Sequence, residues 1–140
     1  MHAPLPQNEA QRLDALQRYR ILDTPPEQQL DDITLLAASV CDAPIALITL
    51  VDSGRQWFKS KVGWVDPETS RDISFCAYAI LEPGRELIVA DASRDMRFSD
   101  NPLVTSDPSH IRFYAGVPLS RFRMFNSSIQ QRAHLPRLAG

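Results

Sequence analysis

The sequence contains few of the residues that build covalent cross-links, metal centres or phosphate-binding loops. Its 140 residues include two cysteines, five glycines and three histidines. Cys41 and Cys76 show neither a C-x-x-C spacing nor a histidine at ligand spacing, so we expect two free thiols in a reducing compartment. The sequence also lacks a glycine-rich phosphate loop and a G-x-S-x-G nucleophile elbow. We therefore predict no catalytic residues, no metal site and no enzymatic activity in this chain.

Long hydrophobic runs are also missing. No apolar stretch approaches the length of about 18 residues that a membrane-spanning helix needs. The first eleven residues, M-H-A-P-L-P-Q-N-E-A-Q, lack the charged and apolar regions of a secretory signal. We expect a cytoplasmic chain with no membrane insertion.

Charge is distributed unevenly along the chain. All seventeen acidic residues precede residue 120, whereas residues 120–140 hold four of the fifteen basic ones. An acidic body is poorly matched to a phosphate backbone, so we predict no nucleic-acid partner. The four arginines of the tail are spaced apart, and we interpret them as solvated side chains.

Two helices are predicted before the first strand. Asn8 is suited to cap the first helix, which packs by a narrow stripe containing Leu16, with Arg12 on the opposite side. In the stretch T-P-P-E, Thr24 is predicted to cap the second helix and Glu27 to reach back to the cap N–H. The second helix is expected to bury an apolar face made of Leu30, Ile33, Leu35, Leu36, Ala37 and Val40.

A β-hairpin is predicted next. Residues 43–52, A-P-I-A-L-I-T-L-V-D, are almost wholly apolar and predict a strand buried on both faces. Residues 56–63 alternate, with Phe58 and Ser60 on one side and Lys59 on the other, which predicts a half-exposed outer strand.

The remainder predicts a short helix and two further strands. S-F-C-A-Y-A-I-L has the spacing of a short helix, after a polar loop. Strands are expected over residues 86–91 and 112–119, joined by a long connection that contains one helical turn. A hairpin with helices against one side of the sheet predicts an α+β domain with antiparallel strands.

The stretch from Asn8 to Leu119 resembles a GAF domain of the type found in bacterial sensor histidine kinases and diguanylate cyclases. The resemblance rests on five stretches in this order: R-L-D-A-L-Q-R-Y-R-I-L-D-T-P-P-E, A-P-I-A-L-I-T-L-V-D-S-G-R-Q-W-F-K-S-K-V-G, R-D-I-S-F-C-A-Y-A-I, L-I-V-A-D-A-S-R-D-M-R-F-S-D-N-P-L-V and I-R-F-Y-A-G-V-P-L. It implies a central antiparallel sheet with N-terminal helices on one face and, on the other, a small-molecule pocket under the short helix and the long loop. The ligands of such domains include cyclic nucleotides, tetrapyrroles and small anions.

The resemblance also suggests pocket residues. The predicted pocket wall combines aromatic side chains with a thiol and an imidazole: Trp57, Phe75, Cys76, Tyr78, His110, Phe113 and Tyr114. Arg71, Asp72 and Ser74 fit a polar pocket mouth and, equally well, a loop that caps the short helix. Trp57 and Phe58 fit packing better than ligand stacking. Some relatives attach a bilin through a pocket cysteine, but the residues around Cys76 do not match theirs, so we expect no bilin there and leave the cofactor unknown.

The end of the chain departs from the family pattern. The expected final strand and closing helix are not visible after Leu119. We therefore predict a disordered segment over 1–7, an incomplete GAF domain over 8–119 and a non-homologous basic tail over 120–140, as in a chain truncated at its C-terminus.

Two functions follow from these expectations. One is a sensory module that binds a small ligand, dimerises, or does both, and so controls a histidine kinase or cyclic-dinucleotide effector outside this chain. The other is a structural or dimerisation module, pairing through the helix that starts after Asn8, or a truncated remnant without function.

Overall fold

The computed structural model describes residues 2–119. Its helices are α1 (Glu9–Tyr19), α2 (Gln28–Val40), α3 (Cys76–Ala79) and α4 (Pro102–Thr105), with 3₁₀ turns at Arg71–Ile73 and Ala92–Arg94. Its strands are β1 (Ala46–Val51), β2 (Arg55–Val62), β3 (Glu68–Ser70), β4 (Leu87–Val89) and β5 (Tyr114–Gly116). The predicted α+β class with antiparallel strands is confirmed.

The main sheet has three antiparallel strands in the order β1-β2-β3. The predicted hairpin is present, and all six residues of β1 are buried as expected. The expectation that β2 is an outer strand is wrong, because β3 forms within the predicted polar loop and pairs with its far edge. Residues 56–60 of β2 are buried.

A second sheet consists of β4 and β5, paired antiparallel with Val89 opposite Tyr114. Both strands are shorter than predicted, with three residues each. The predicted helical turn of the long connection is α4, whose cap Asn101 accepts a hydrogen bond from the Leu103 N–H at 2.9 Å. The predicted tail over 120–140 lies outside the described residues. The disorder predicted for residues 1–7 stays a prediction.

The start of α1 lies where Asn8 predicts it, although the Asn8 side chain makes no capping hydrogen bond. Arg12 is the exception to the expected pattern. It is only 6% exposed, although the sequence places it on the solvent side. Its guanidinium reaches the Val51 carbonyl oxygen and pairs with Glu9 at 2.9 Å, so tertiary partners hold it inside.

Helix α2 differs more from its prediction. Glu27, rather than Thr24, occupies the cap position, and neither makes the predicted capping hydrogen bond. The helix packs on the sheet through Thr34, which is fully buried and donates to Ser60 Oγ at 2.7 Å. Most of the expected apolar face points outward instead. Its exposed members are Ile33 at 39%, Leu35 at 56%, Leu36 at 63% and Val40 at 76%.

A β-bulge explains why the alternation predicted for β2 is wrong. Thr49 pairs with Phe58 and Ile48 with Ser60, so Lys59 is an extra residue on β2. A bulge of this kind turns the following side chain to the opposite face. Ser60 therefore lies against α2, where its hydroxyl donates to Asp31 Oδ1 at 2.6 Å.

Lys59 is buried rather than exposed, and its ammonium holds the connection between α1 and α2. Lys59 Nζ donates to Thr24 Oγ1 at 2.7 Å and to the Pro25 carbonyl oxygen at 2.6 Å. It also pairs with Glu27 at 2.9 Å. Thr24 thus serves as an anchor for the sheet instead of a helix cap.

We predict that Lys59→Met lowers the free energy of unfolding by about 1–2 kcal/mol, because hydrogen bonds from a charged donor are lost. The Thr24 amide donates to the Ile21 carbonyl oxygen. Its hydrogen exchange should be faster in Lys59→Met than in the wild type. Lys61→Met is the matched control, since Lys61 is an exposed lysine on the same strand. Equal effects of the two substitutions would refute the anchoring role.

Candidate functional site

A small cavity lies between the main sheet and the segments that follow it. The cavity has a volume of about 30 Å³. Its wall consists of aliphatic and aromatic side chains with four polar ones: Ile45, Leu47, Gln56, Phe58, Trp64, Thr69, Phe75, Cys76, Leu103, Ile111 and Tyr114. None of the residues that line it carries a formal charge at neutral pH.

The cavity is on the face of the sheet opposite α1 and α2. Leu47 of β1 and Phe58 of β2 form its floor, and Phe75 and Leu103 come from the region of α3 and α4. Phe75 stacks on Phe98, with the ring centres 4.2 Å apart, which holds this wall together. Its place is the one that the resemblance implies for the pocket.

The structure brings three of the seven predicted wall residues to the cavity: Phe75, Cys76 and Tyr114. Trp57 lies on the other face, where it packs with Leu16 and Leu50. Its position is set by strand alternation, since Phe58 is the neighbour that points into the cavity.

The remaining predicted wall residues lie outside the lining. Tyr78 packs edge-on against Phe98, with the ring centres 5.0 Å apart. His110 is exposed and lies 3.2 Å from Asp107, and Phe113 is half-buried beside β5.

The predicted polar mouth does not line the cavity either. Arg71 bonds the Asp52 carbonyl oxygen at 3.0 Å and the carboxylate of Glu9, so it points towards α1. Asp72 is exposed, 3.4 Å from His2. Ser74 accepts from the Ala77 N–H at 3.2 Å at the start of α3, which matches the alternative of a loop cap.

Cys76 sits in a buried cluster of weakly acidic groups at the cavity wall. Thr49 donates to Cys76 Sγ at 3.3 Å, and Tyr114 Oη lies 3.3 Å from the same sulfur. Burial raises the pKa of Cys76 to about 11 despite these hydrogen bonds. Burial also raises the pKa of Tyr114. Both groups are therefore neutral near pH 7, and a thiol with so little thiolate is a poor nucleophile.

Trp64 lines the cavity and carries a buried hydrogen-bond donor. Its indole Nε1 is buried and has no hydrogen-bond partner among the residues that the structure describes. The ring meets Phe58 edge-on, with the ring centres 6.1 Å apart. Buried polar groups without partners are rare in folded proteins, so this donor on a cavity-lining residue is a candidate contact for a ligand.

Sequence reasoning missed most of the apolar lining, including Leu47, Trp64 and Leu103. Trp64 follows β2 in a stretch without regular structure, where no periodicity assigns a face. Phe58 lines the cavity, although the hairpin pattern favours packing over ligand contact for it. Gln56 could not be found, because its role depends on Ser74, whose Oγ donates to Gln56 Oε1 at 2.7 Å.

Within residues 2–119, no three His, Cys, Asp or Glu side chains come together as a potential metal site. None of the helices in that range has the length and apolar character required to cross a membrane.

The described part of the chain is an α+β domain with helices on one face of its main sheet and a cavity on the other. Residues 25–123 match the GAF domain family. The chain belongs to this family, whose members are signal-sensing modules.

One curated relative is a cyclic di-GMP phosphodiesterase of Pseudomonas aeruginosa. It is 43% identical over 117 residues, which are 84% of this chain. The chain spans only about a fifth (20%) of that relative's length.

Solved structures share the fold at low identity. The GAF domain region of a putative membrane protein from Geobacter sulfurreducens has a TM-score of 0.55 and 20% identity, covering 79% of this chain and 73% of that one. A type II free methionine-R-sulfoxide reductase from Thermoplasma acidophilum has a TM-score of 0.56 and 12% identity, covering 79% and 72%. At these identities the likeness concerns the fold alone.

Proposed function

We propose that the chain is the ligand-sensing part of a bacterial protein that regulates a cyclic-dinucleotide effector outside this chain. The observation that carries the proposal is the cavity opposite the helices, with the unsatisfied Trp64 donor in its wall. The choice of effector rests on the 43% identity to a segment of a cyclic di-GMP phosphodiesterase. A histidine kinase is the alternative effector that the sequence patterns leave open. Any catalytic activity would belong to that effector.

Hydrogen bonds connect the cavity with helix α1 over a short distance. Gln56, in the wall, accepts from Ser74, which directly follows the 3₁₀ turn that begins at Arg71. Arg71 in turn binds Glu9 at the start of α1. Because buried networks of this kind have few alternative arrangements, a ligand that displaces Gln56 would change the support of α1. We place the output of the sensor at this helix.

A thermal-shift screen tests the sensing role. The whole chain is heated with a panel of cyclic nucleotides, haem, bilins, small anions and small neutral aromatic compounds. A ligand at 100 times its dissociation constant stabilises the folded state by about 2.7 kcal/mol, which is several degrees in Tm for a domain of this size. We expect at least one saturable response, and a flat response to the whole panel would contradict the sensing role.

A second function, self-association, is favoured by the outer face of α2. Ile33, Leu36 and Val40 recur at the helical spacing that forms a narrow apolar seam, and all three are exposed. The prediction placed the dimer contact on the helix after Asn8, but the outward residues of α1 are mainly polar. The occupant we propose is α2 of a second copy. Antiparallel pairing suits it, because Asp31 and Asp32 near the helix start would then lie at opposite ends.

We predict that Leu36→Glu shifts any concentration-dependent dimer to a monomer in sedimentation velocity. Gln17→Glu places the same new charge on the outer side of α1 and should leave the dimer intact. A wild-type chain that stays monomeric at every concentration would remove this second function. If Gln17→Glu dissociates the dimer and Leu36→Glu does not, the dimer contact is formed by α1 instead of α2.

The compartment is a further proposal. Cys41 and Cys76 are free thiols, as the sequence predicts. Free thiols are typical of reducing compartments, and they support the cytoplasmic location that we propose for this sensor.

A further inference from the structure

The chemistry of the cavity wall restricts which ligands can bind there. This inference rests on the proposed sensing role and concerns the class of ligand. We propose that the cavity takes a small, uncharged, largely apolar molecule with one hydrogen-bond acceptor, which receives the Trp64 indole N–H.

The absence of charge in the lining argues against an ionic ligand. A charged ligand that enters an apolar cavity loses its hydration, and only a paired opposite charge compensates for that loss. Arg71 is the basic side chain of the hydrogen-bond network that starts at Gln56. It already binds Glu9 and the Asp52 carbonyl oxygen. Cys76 and Tyr114 stay neutral at physiological pH and provide no counter-charge.

Some polar side chains of the cavity wall have hydrogen-bond partners and one does not. Gln56 is engaged on both sides, since its Oε1 accepts from Ser74 and its Nε2 donates to Thr69 Oγ1 at 3.0 Å. Cys76 has its bonds to Thr49 and Tyr114. Among the described residues, Trp64 Nε1 is the buried side-chain nitrogen or oxygen left without a partner. A single acceptor on the ligand would therefore satisfy the side-chain donor that the wall leaves without a partner.

The size of the cavity shows that the ligand must widen it. A volume of about 30 Å³ has room for roughly two water molecules, whereas ligand sites usually exceed 300 Å³. The wall opposite the sheet is suited to this movement, because α3 and α4 have only four residues each. One-turn helices contribute little stability of their own and depend on packing against their neighbours. Displacement of α4 with Leu103 would enlarge the site without breaking the main sheet.

Three probes of nearly equal shape test the proposal on the whole chain. Acetophenone is uncharged and has a carbonyl acceptor, ethylbenzene lacks the acceptor, and benzoate carries a charge. We expect acetophenone to bind with a dissociation constant about five-fold lower than that of ethylbenzene, as one hydrogen bond to a buried donor would give. Benzoate should show no saturable binding.

Two variants assign the preference to the indole N–H. Trp64→Phe keeps an aromatic ring beside Phe58 but removes the donor, so acetophenone and ethylbenzene should bind to it equally. Trp57→Phe is the matched control on the opposite face and should retain the preference. Urea unfolding of each variant confirms that it is folded.

The possible results separate this inference from the proposed function. Equal binding of acetophenone and ethylbenzene to the wild type, or a preference that survives Trp64→Phe, would overturn the role of Trp64. Tight binding of benzoate, or thermal shifts produced only by charged compounds, would overturn the ligand class and leave the sensing role standing. No binding of any panel compound or probe would overturn both.

Discussion

We expect Glu9→Gln to lower the free energy of unfolding by about 3 kcal/mol, because it leaves two buried guanidinium groups without their counter-charge. Glu9 lies between Arg12 and Arg71, at 2.9 and 2.5 Å. The side chains of Arg12 and Arg71 are only 4% and 9% exposed. The same two arginines also reach the carbonyl oxygens of Val51 and Asp52 at the end of β1. The substitution therefore loosens α1 from the sheet.

The effect of Glu9 should depend on pH in a defined direction. Burial raises the pKa of Glu9, but hydrogen bonds from Arg71 and Arg12 outweigh it and lower the pKa from 4.5 to about 2. The ionised carboxylate therefore stabilises the folded state above about pH 4.5, and this contribution is lost as the pH falls towards 2. A shift of that size corresponds to about 3 kcal/mol, in line with the expected cost of the substitution.

Urea unfolding of the wild type and Glu9→Gln between pH 7 and pH 2.5 measures both effects. The two stabilities should differ by a constant amount above about pH 5 and approach each other below it. Asp14→Asn is the matched control on the same helix, since Asp14 pairs with Arg18 at 3.2 Å while both side chains are about two-thirds exposed (67% and 69%). It should cost less than about 0.5 kcal/mol. A gap that widens in acid would contradict the account of Glu9.

The second large effect is expected at Gly63, which links β2 to Trp64. Its φ is +73°, and a Cβ there would overlap the carbonyl oxygen of Pro44. A non-glycine residue in this region of φ costs about 1–3 kcal/mol, and overlap with backbone adds a similar amount. We therefore predict that Gly63→Ala lowers the free energy of unfolding by about 3 kcal/mol or more.

Gly54→Ala is the control for Gly63, because a Cβ at Gly54 has open space around it and the residue lies in the tight hairpin turn. Its unfolding midpoint in urea should stay close to that of the wild type. If Gly63→Ala also leaves the midpoint unchanged, the backbone around Trp64 is not constrained as the structure indicates. The position of the indole donor in the cavity wall would then lose its support.

Local sequence patterns predicted the elements whose burial follows from their own residues. The buried strand β1 and its hairpin were predictable because an apolar run followed by a Gly-containing turn has few other folded solutions. The resemblance to the GAF family suggested seven pocket residues, and three of them, Phe75, Cys76 and Tyr114, line the cavity. For β1 and the hairpin, local preference and tertiary structure agree.

The sequence-based predictions are wrong where contacts with residues distant in sequence determine the burial of a side chain. Arg12 and Lys59 are charged, so a sequence pattern assigns them to solvent, yet the Val51 and Pro25 carbonyl oxygens bind them inside. Ser60 lies on the face opposite to the predicted one because of the β-bulge, which a regular alternation of side chains does not predict. Trp64 lies in a stretch without regular structure, so no periodicity predicts its face, and its lack of a hydrogen-bond partner depends on the tertiary structure.

The two tryptophans allow the central claim to be measured directly. Trp64 lines the cavity and Trp57 packs on the opposite face of the sheet, so their indole N–H signals report on the two sides separately. A ¹H–¹⁵N spectrum of the ¹⁵N-labelled chain is recorded with increasing acetophenone, with each signal assigned by its tryptophan-to-phenylalanine variant. We predict that the Trp64 signal moves saturably while the Trp57 signal stays in place. Movement of the Trp57 signal with an unchanged Trp64 signal would contradict a ligand site in this cavity.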